Sequence, residues 1–382
     1  MGNRHKILHI ITDLPFGGAQ DNTLYTVEQL DRKKYDVSLA CNMSGDLVER
    51  AQSIPNLGIY HIPSLQRDLH LLKDMVALFR LIRIIRDGEF DIVHTHSSKP
   101  GVLGRIACLF TGTWLVIHTV HGFPFHEFMN PVKRRFYIVV EKIMNLITTH
   151  LITVSTLNLK KIIDLKMAPP EKLTNIYSGI DVRKFKMGKA LDLHQELEIS
   201  RDNKILGFIG RLSEQKSPMT FLKALQQVIA RQSDIHVIVV GDGPLREEMD
   251  AFISENSLSE HITFLGYRDD VNALLKSIDY FVLSSIYEGL GRSVTEALCC
   301  QVPIIATAVE GVPELIRHKR TGLLVEAEKP EQLAKAIIYA LKHPADMKSY
   351  AKTGSRFVEK NFPVEKMVSD IDSLYQELLN KP

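Results

Sequence analysis

The stretch KILGFIGRLSEQKSPMTFLKALQQVIARQSDIHVIVVGDG, residues 204–243, reads in succession as strand, turn, helix and strand. Lys204 to Ile209 and His236 to Val240 are short apolar runs, each closed by glycine, and Met219 to Arg231 between them carries its apolar residues at helical spacing. A strand that passes through a helix to another strand predicts a right-handed crossover between parallel neighbours. Downstream, Leu245 to Asn256 continues as a helix, and Ile262 to Leu265, Tyr280 to Leu283 and Pro303 to Ala306 continue as strands. Upstream, Ile7 to Ile11, Asp36 to Cys41, Asp91 to His94, Leu115 to Thr119 and His150 to Val154 show the same alternation. The pattern runs twice, which predicts two parallel sheets, each covered by helices on both faces.

A chain of 382 residues exceeds one comfortable core, and about 100–200 residues per domain predicts two. The segment NIYSGIDVRKFKMGKALDLHQELEIS, residues 175–200, is charged and shows little core periodicity, which puts the boundary near Phe185. Residues 1–185 then form the first domain and 186–362 the second. In residues 363–382, Val364, Met367, Val368, Ile371, Leu374, Tyr375 and Leu378 have helical spacing and predict a closing helix that packs back toward the first domain.

Bulk properties exclude several classes. A 45% hydrophobic, 24% charged composition is that of an ordinary globular protein, and a net charge of +2 gives no footing for nucleic acid. Cys41, Cys108, Cys299 and Cys300 lack zinc or disulfide spacing and read as reduced core residues. Asp13 and a Gly-Gly turn stand where a signal peptide would continue, so the opening reads as a first strand of a cytoplasmic chain. The longest apolar stretch, Phe136 to Val154, is broken by Glu141, Lys142, Asn145 and His150 and does not read as a membrane span.

Doubly wound sheets bind ligands beyond the carboxyl ends of their strands, which confines the search to strand-to-helix loops. Gly17 and Gly18 open a helix after the first strand, where backbone N–H groups can face an anion, although an ordinary turn uses Gly-Gly as readily. DIVHTHSSKPGVLGRIA, residues 91–107, ends a strand at His94 and His96 and offers Lys99 to the cleft. With no carboxylate or third histidine nearby, the two histidines fall short of a metal's ligand count. VIHTVHGFPFHEF, residues 116–128, clusters His118, His121 and His126, and His121, followed by glycine at a strand end, is best placed to donate to a substrate hydroxyl. GFIGRLSEQKS, residues 207–217, places Arg211 and Lys216 in one loop, a pair suited to neutralising a diphosphate without a metal. SSIYEGLGRSVTEALCC, residues 284–300, sets Glu288 and Glu296 around a glycine-rich turn into a helix, where Gly289, Leu290 and Gly291 turn backbone N–H groups toward a bound phosphate.

The segment EGLGRSVTE, residues 288–296, resembles the Glu-x7-Glu hallmark of the retaining glycosyltransferases of family 4, which have the GT-B fold of two Rossmann-like domains facing across a cleft. GGAQ, HTHSSKPGVLGR, HTVHGF, NIYSGIDVRKF, VVGDGPLREEM, FLGYRDDV and VPELI extend the resemblance almost end to end. It implies a nucleotide diphosphate sugar donor, most commonly a UDP-sugar, with Glu296 on the ribose, Glu288 and the backbone after it on sugar and diphosphate, and Arg211 and Lys216 on the phosphates. It further implies His121 on the transferred sugar and Gly18 beside the diphosphate; His96 and Lys99, at the strand end of residues 91–107, are read as lying on the acceptor side. No cofactor and no metal are expected. Gln301 and Glu310 depart from the family, which often has glycine at both places, and this puts the donor's identity in question.

With no obvious carboxylate nucleophile opposite the donor motif, front-face transfer with retention is expected. The helices NPVKRRFYIVVEKIMNL, residues 130–146, and LLKDMVALFRLIRIIR, residues 71–86, interleave basic and apolar residues, which predicts peripheral docking on an anionic membrane and a saccharide or lipid-linked acceptor in cell-surface polysaccharide assembly. The alternatives are a nucleotide-sugar epimerase on the same fold and a non-catalytic nucleotide-sugar binding protein.

Overall fold

Apolar runs of three to seven residues that carry little charge become strands, most of them buried on both faces, and the computed structural model, which describes residues 4–381, contains two sheets built from them. The first unit comprises residues up to Gly179 together with the segment from Val364 onward, and the second runs from Ile180 to Pro363. The expected boundary near Phe185 therefore falls at Gly179–Ile180. Ile180 already belongs to the second unit, its N–H donating to the Phe362 carbonyl at 2.9 Å, and Phe185 is buried there.

In the first unit the strands are β1 (His5–Ile10), β2 (Tyr35–Cys41), β3 (Gly58–His61), β4 (Ile92–His96), β5 (Leu115–Val120), β6 (His150–Thr153) and β7 (Leu173–Asn175). They lie in the order β3-β2-β1-β4-β5-β6-β7, all parallel. The helix Val364–Leu379 turns Val364, Met367, Ile371, Leu374, Tyr375 and Leu378 into the core formed by β1, β2 and the helix Gly18–Gln29. In the second unit, β8 (Lys204–Ile209), β9 (Ile235–Val240), β10 (Ile262–Gly266), β11 (Tyr280–Leu283), β12 (Ile304–Thr307) and β13 (Leu323–Val325) lie in the order β10-β9-β8-β11-β12-β13, again parallel. Strands β3, β7 and β13 had no sequence expectation; they are edge strands of three or four residues, too short to show a period.

Each sheet reverses its strand order beside its first strand, at β1/β4 and at β8/β11. That switch point is where loops diverge and leave room for a ligand.

Candidate active site

At the first switch point, His9 of β1 and His94 of β4 are direct register partners, and His96 and Thr119 pair across β4 and β5. Side chains two apart on a strand share a face, so three imidazoles and a hydroxyl converge. His96 Nε2 lies 2.9 Å from His9 Nδ1, and His96 Nδ1 lies 3.1 Å from Nε2 of His121, in the loop after β5. Tyr375, fully buried, brings its hydroxyl 2.5 Å from His94 Nδ1 and 3.5 Å from His9 Nε2, while His94 Nε2 lies 2.7 Å from Thr119 Oγ1. His118 occupies the opposite face, with Nδ1 2.9 Å from Thr95 Oγ1. Burial pushes the imidazoles of His9 and His121 down to about 3 and holds those of His94, His96 and His118 well below the ordinary value, with neighbouring charges adding to the effect at all but His121. All five rings are neutral near pH 7.

The sequence-based ground for discounting a metal is corrected by the fold. A third histidine does stand beside His94 and His96, because β1 neighbours β4, and the candidate ligand nitrogens of His9, His94 and His96 lie within 4.8 Å of one another. Both nitrogens of each of these three rings already hydrogen-bond within the network. Gly18 is the first residue of the helix Gly18–Gln29, as its loop position implies. Lys99 is not offered to open space: it is largely buried, pairs with Asp74 and donates to the Asp68 carbonyl, tying down the turn before the helix Leu71–Gly88.

At the second switch point, the loops after β8 and β11 are stitched together. Ser284 Oγ donates to the carbonyls of Lys216 and Ser217, and Gln215 Nε2 donates to the Tyr287 carbonyl. Lys216 Nζ donates to Glu288 Oε1 at 2.5 Å, an oxygen that also accepts from Ser285 Oγ at 2.7 Å. The Glu288 N–H in turn donates to Glu310 Oε2 at 3.1 Å. Gly291, at φ +94°, caps the helix Arg292–Cys299, in which Glu296 Oε1 accepts from Arg292 Nε at 2.8 Å. Arg211 is exposed in the same loop as Lys216. A Cβ at Gly241, φ +120°, would lie 2.3 Å from the Gly210 carbonyl, so only glycine lets the loop after β9 close on this site. Gln301 and Glu310 both take left-handed backbone, at φ 60° and 38°, which is the physical reason glycine suits these two positions.

Comparison with known proteins agrees with this arrangement. A model of glycosyltransferase family 4 matches residues 16–184, and one of glycosyl transferases group 1 matches residues 190–357. The UDP-Gal:alpha-D-GlcNAc-diphosphoundecaprenol alpha-1,3-galactosyltransferase of Escherichia coli is 30% identical over 98% of this chain and 97% of its own length. The chain is a family 4 glycosyltransferase. The capsular polysaccharide biosynthesis glycosyltransferase CapM of Staphylococcus aureus is 23% identical over 98% of both chains. The fold matches that of Anabaena HepE, solved in complex with UDP and glucose, at a TM-score of 0.83, with 20% identity over 98% of this chain and 100% of that one. Thus the glycosyltransferase has the GT-B architecture of two parallel-sheet domains.

Sequence reasoning missed several participants in these two networks, His9, Tyr375, Ser285 and Arg292 among them. His9 and Tyr375 read only as members of a strand and of an apolar helix stripe, and their partners are 87 and 281 residues away. Ser285 carried no signal beside the more conspicuous glutamates. Arg292, four residues before Glu296, was legible as a helix ion pair.

Proposed function

We propose that this glycosyltransferase moves a hexose, with retention and without a metal, from a UDP-sugar to a hydroxyl of a lipid-linked saccharide in cell-surface polysaccharide assembly. The observation that carries the donor half is the Lys216–Glu288–Ser285 network, with Arg211 in the same loop, at the switch point of the second unit. The name of the full-length Escherichia coli relative supports a UDP-hexose and a diphospholipid acceptor.

In this reading Glu296 takes the ribose hydroxyls, and Gly289, Leu290 and Gly291 turn backbone N–H groups to the sugar and diphosphate. Lys216 and Arg211 balance the charge that grows as the C1–O bond to the diphosphate breaks. The acceptor oxygen bonds to C1 on the face the diphosphate leaves, and its proton passes to a departing phosphate oxygen. His121 and Gly18 serve the transferred sugar and the diphosphate, and His96 acts through His121. The cations already fixed in the protein do the charge balancing assigned elsewhere to a metal.

A screen of UDP-, GDP- and ADP-sugars by thermal shift and slow hydrolysis, with EDTA present, tests this. A UDP-sugar should stabilise the wild type and not Glu296→Ala. A strict requirement for a divalent ion would overturn the metal-independent reading, and a trapped sugar adduct on Glu288 would overturn front-face transfer.

The acceptor half draws on three helices of the first unit, Leu71–Gly88, Ser98–Thr111 and Pro131–Leu146, the middle one touching both others. Leu71, Leu72, Phe79, Phe110, Val132, Phe136 and Leu146 are exposed on them, with Arg80, Arg83, Lys133 and Arg134 interleaved. An apolar surface of this kind set among cations suits an anionic bilayer. Among the described residues no helix is long and apolar enough to cross a membrane. Sedimentation with phosphatidylglycerol vesicles at low salt should retain the protein, and Phe79→Ser with Phe136→Ser should release it; failure of the wild type to bind would overturn the docking.

A further inference from the structure

The network of the first switch point is a single unbranched chain of hydrogen bonds. It runs from His121 through His96 and His9 to the Tyr375 hydroxyl, and on through His94 to Thr119. Each neutral imidazole has one N–H donor and one acceptor nitrogen, and the phenol has one proton. With the phenol proton used within the chain, only two arrangements satisfy every link, and they differ by reversing every proton. In one, the phenol donates to His94, so His94, His9, His96 and His121 all carry their proton on Nε2 and His121 Nδ1 is left as an acceptor. In the other, the phenol donates to His9, all four carry it on Nδ1, and His121 Nδ1 is left as a donor.

The distances choose between them. The phenol's single proton goes to the nearer nitrogen, His94 Nδ1 at 2.5 Å, which leaves the 3.5 Å link to His9 as a weak N–H donated to the phenol oxygen. Burial keeps the phenol proton in place by raising Tyr375 well above its ordinary range.

We propose that Tyr375, in the helix that returns to the first unit, is a positioning residue that fixes the tautomer of His121 through His9 and His96, presenting His121 Nδ1 as a hydrogen-bond acceptor for a substrate hydroxyl. His121 Nδ1 makes no hydrogen bond among the described residues, and the His121 ring is partly exposed, so this nitrogen is available to a ligand. A merely structural tyrosine would leave the direction of the chain to chance; here one phenolic proton decides whether a ring three hydrogen bonds away, His121, gives or takes a hydrogen bond. The consequence for transfer rests on the reading that His121 meets the sugar, but the tautomer itself does not.

Nitrogen-15 spectra of the ring nitrogens, recorded on the wild type near neutral pH without substrate, test the tautomer independently of any activity. His9, His94, His96 and His121 should each show a protonated Nε2 and a bare Nδ1. Finding His121 protonated at Nδ1 would overturn the inference even if transfer is established. Tyr375→Phe keeps the ring and removes the proton; it should mix the His121 tautomers and lower kcat roughly tenfold with little change in the donor KM. An unchanged His121 spectrum in a folded Tyr375→Phe would reduce Tyr375 to a packing residue, and should that variant not fold, the wild-type spectrum alone still decides.

Discussion

At the switch point of the first sheet, neutral groups hold one another: five uncharged side chains and a threonine hydroxyl exchange hydrogen bonds, and no ion pair enters the chain. At the matching place in the second sheet, ions do the holding, with Lys216 against Glu288 and, one helix turn beyond, Arg292 against Glu296. The strand order around the two points is the same. What differs is what each can recognise. A buried neutral chain offers direction, a donor or an acceptor at a fixed place, and suits sugar hydroxyls. An ion-paired loop offers charge whose desolvation has already been met in folding, and suits phosphates. One backbone plan has been given two kinds of electrostatics.

The sharpest way to break the comparison is to remove the cation of the second unit. Lys216→Ala strands a carboxylate that is largely buried, at a cost of about 3–5 kcal/mol in urea unfolding. It should also lower transfer by about a hundredfold or more. Lys216→Met with Glu288→Gln should recover most of the stability and none of the activity. Recovery of both would mean the pair is structural only.

Acid should act first on the other unit. The folded-state values of its histidines lie below the ordinary value near 6.5, so the unfolded chain binds more protons between about pH 6.5 and the folded values, about 3 for His9 and His121. Stability is therefore full above about pH 6.5 and falls as the pH drops, by up to about 1.4 kcal/mol per pH unit for each histidine. Trp114, the single tryptophan of the chain, lies in the first unit and reports on it. Its urea midpoint should fall steadily from about pH 7 to about pH 5, and a midpoint that rises over that range would contradict a neutral network.

The smallest effect separates the two left-handed residues. Gln301→Gly should stabilise by up to about 1 kcal/mol by relieving the backbone. Glu310→Gly relieves the same strain but loses the acceptor for the Glu288 N–H, so calorimetry should find it close to neutral or destabilised. Equal gains at both positions would show that the Glu310 carboxylate does nothing for the loop after β11.

The two regions were also unequally legible. Lys216, Glu288 and Glu296 could be singled out because charged residues beside glycines at the ends of apolar runs are conspicuous in one dimension. The parallel sheets followed from the alternation of runs, and their edge strands did not, being too short to carry a period. The histidine chain was half visible: His94, His96 and His121 stood out, but the link that joins them needs His9 from β1 and Tyr375 from a helix written long after, and only the register of β1 on β4 brings them together. Lys99 misled because a lysine after a strand looks free until its acidic partner, Asp74, is placed by the fold.

The core of the first unit is completed by Val364, Met367, Ile371, Leu374, Tyr375 and Leu378, which the ribosome makes only after the whole of Ile180–Pro363. Until that segment is made, the core of the first unit lacks its cover along β1, β2 and the helix Gly18–Gln29. A chain halted before Val364 leaves that face of the core exposed, and the histidine chain cannot close until Tyr375 is in place.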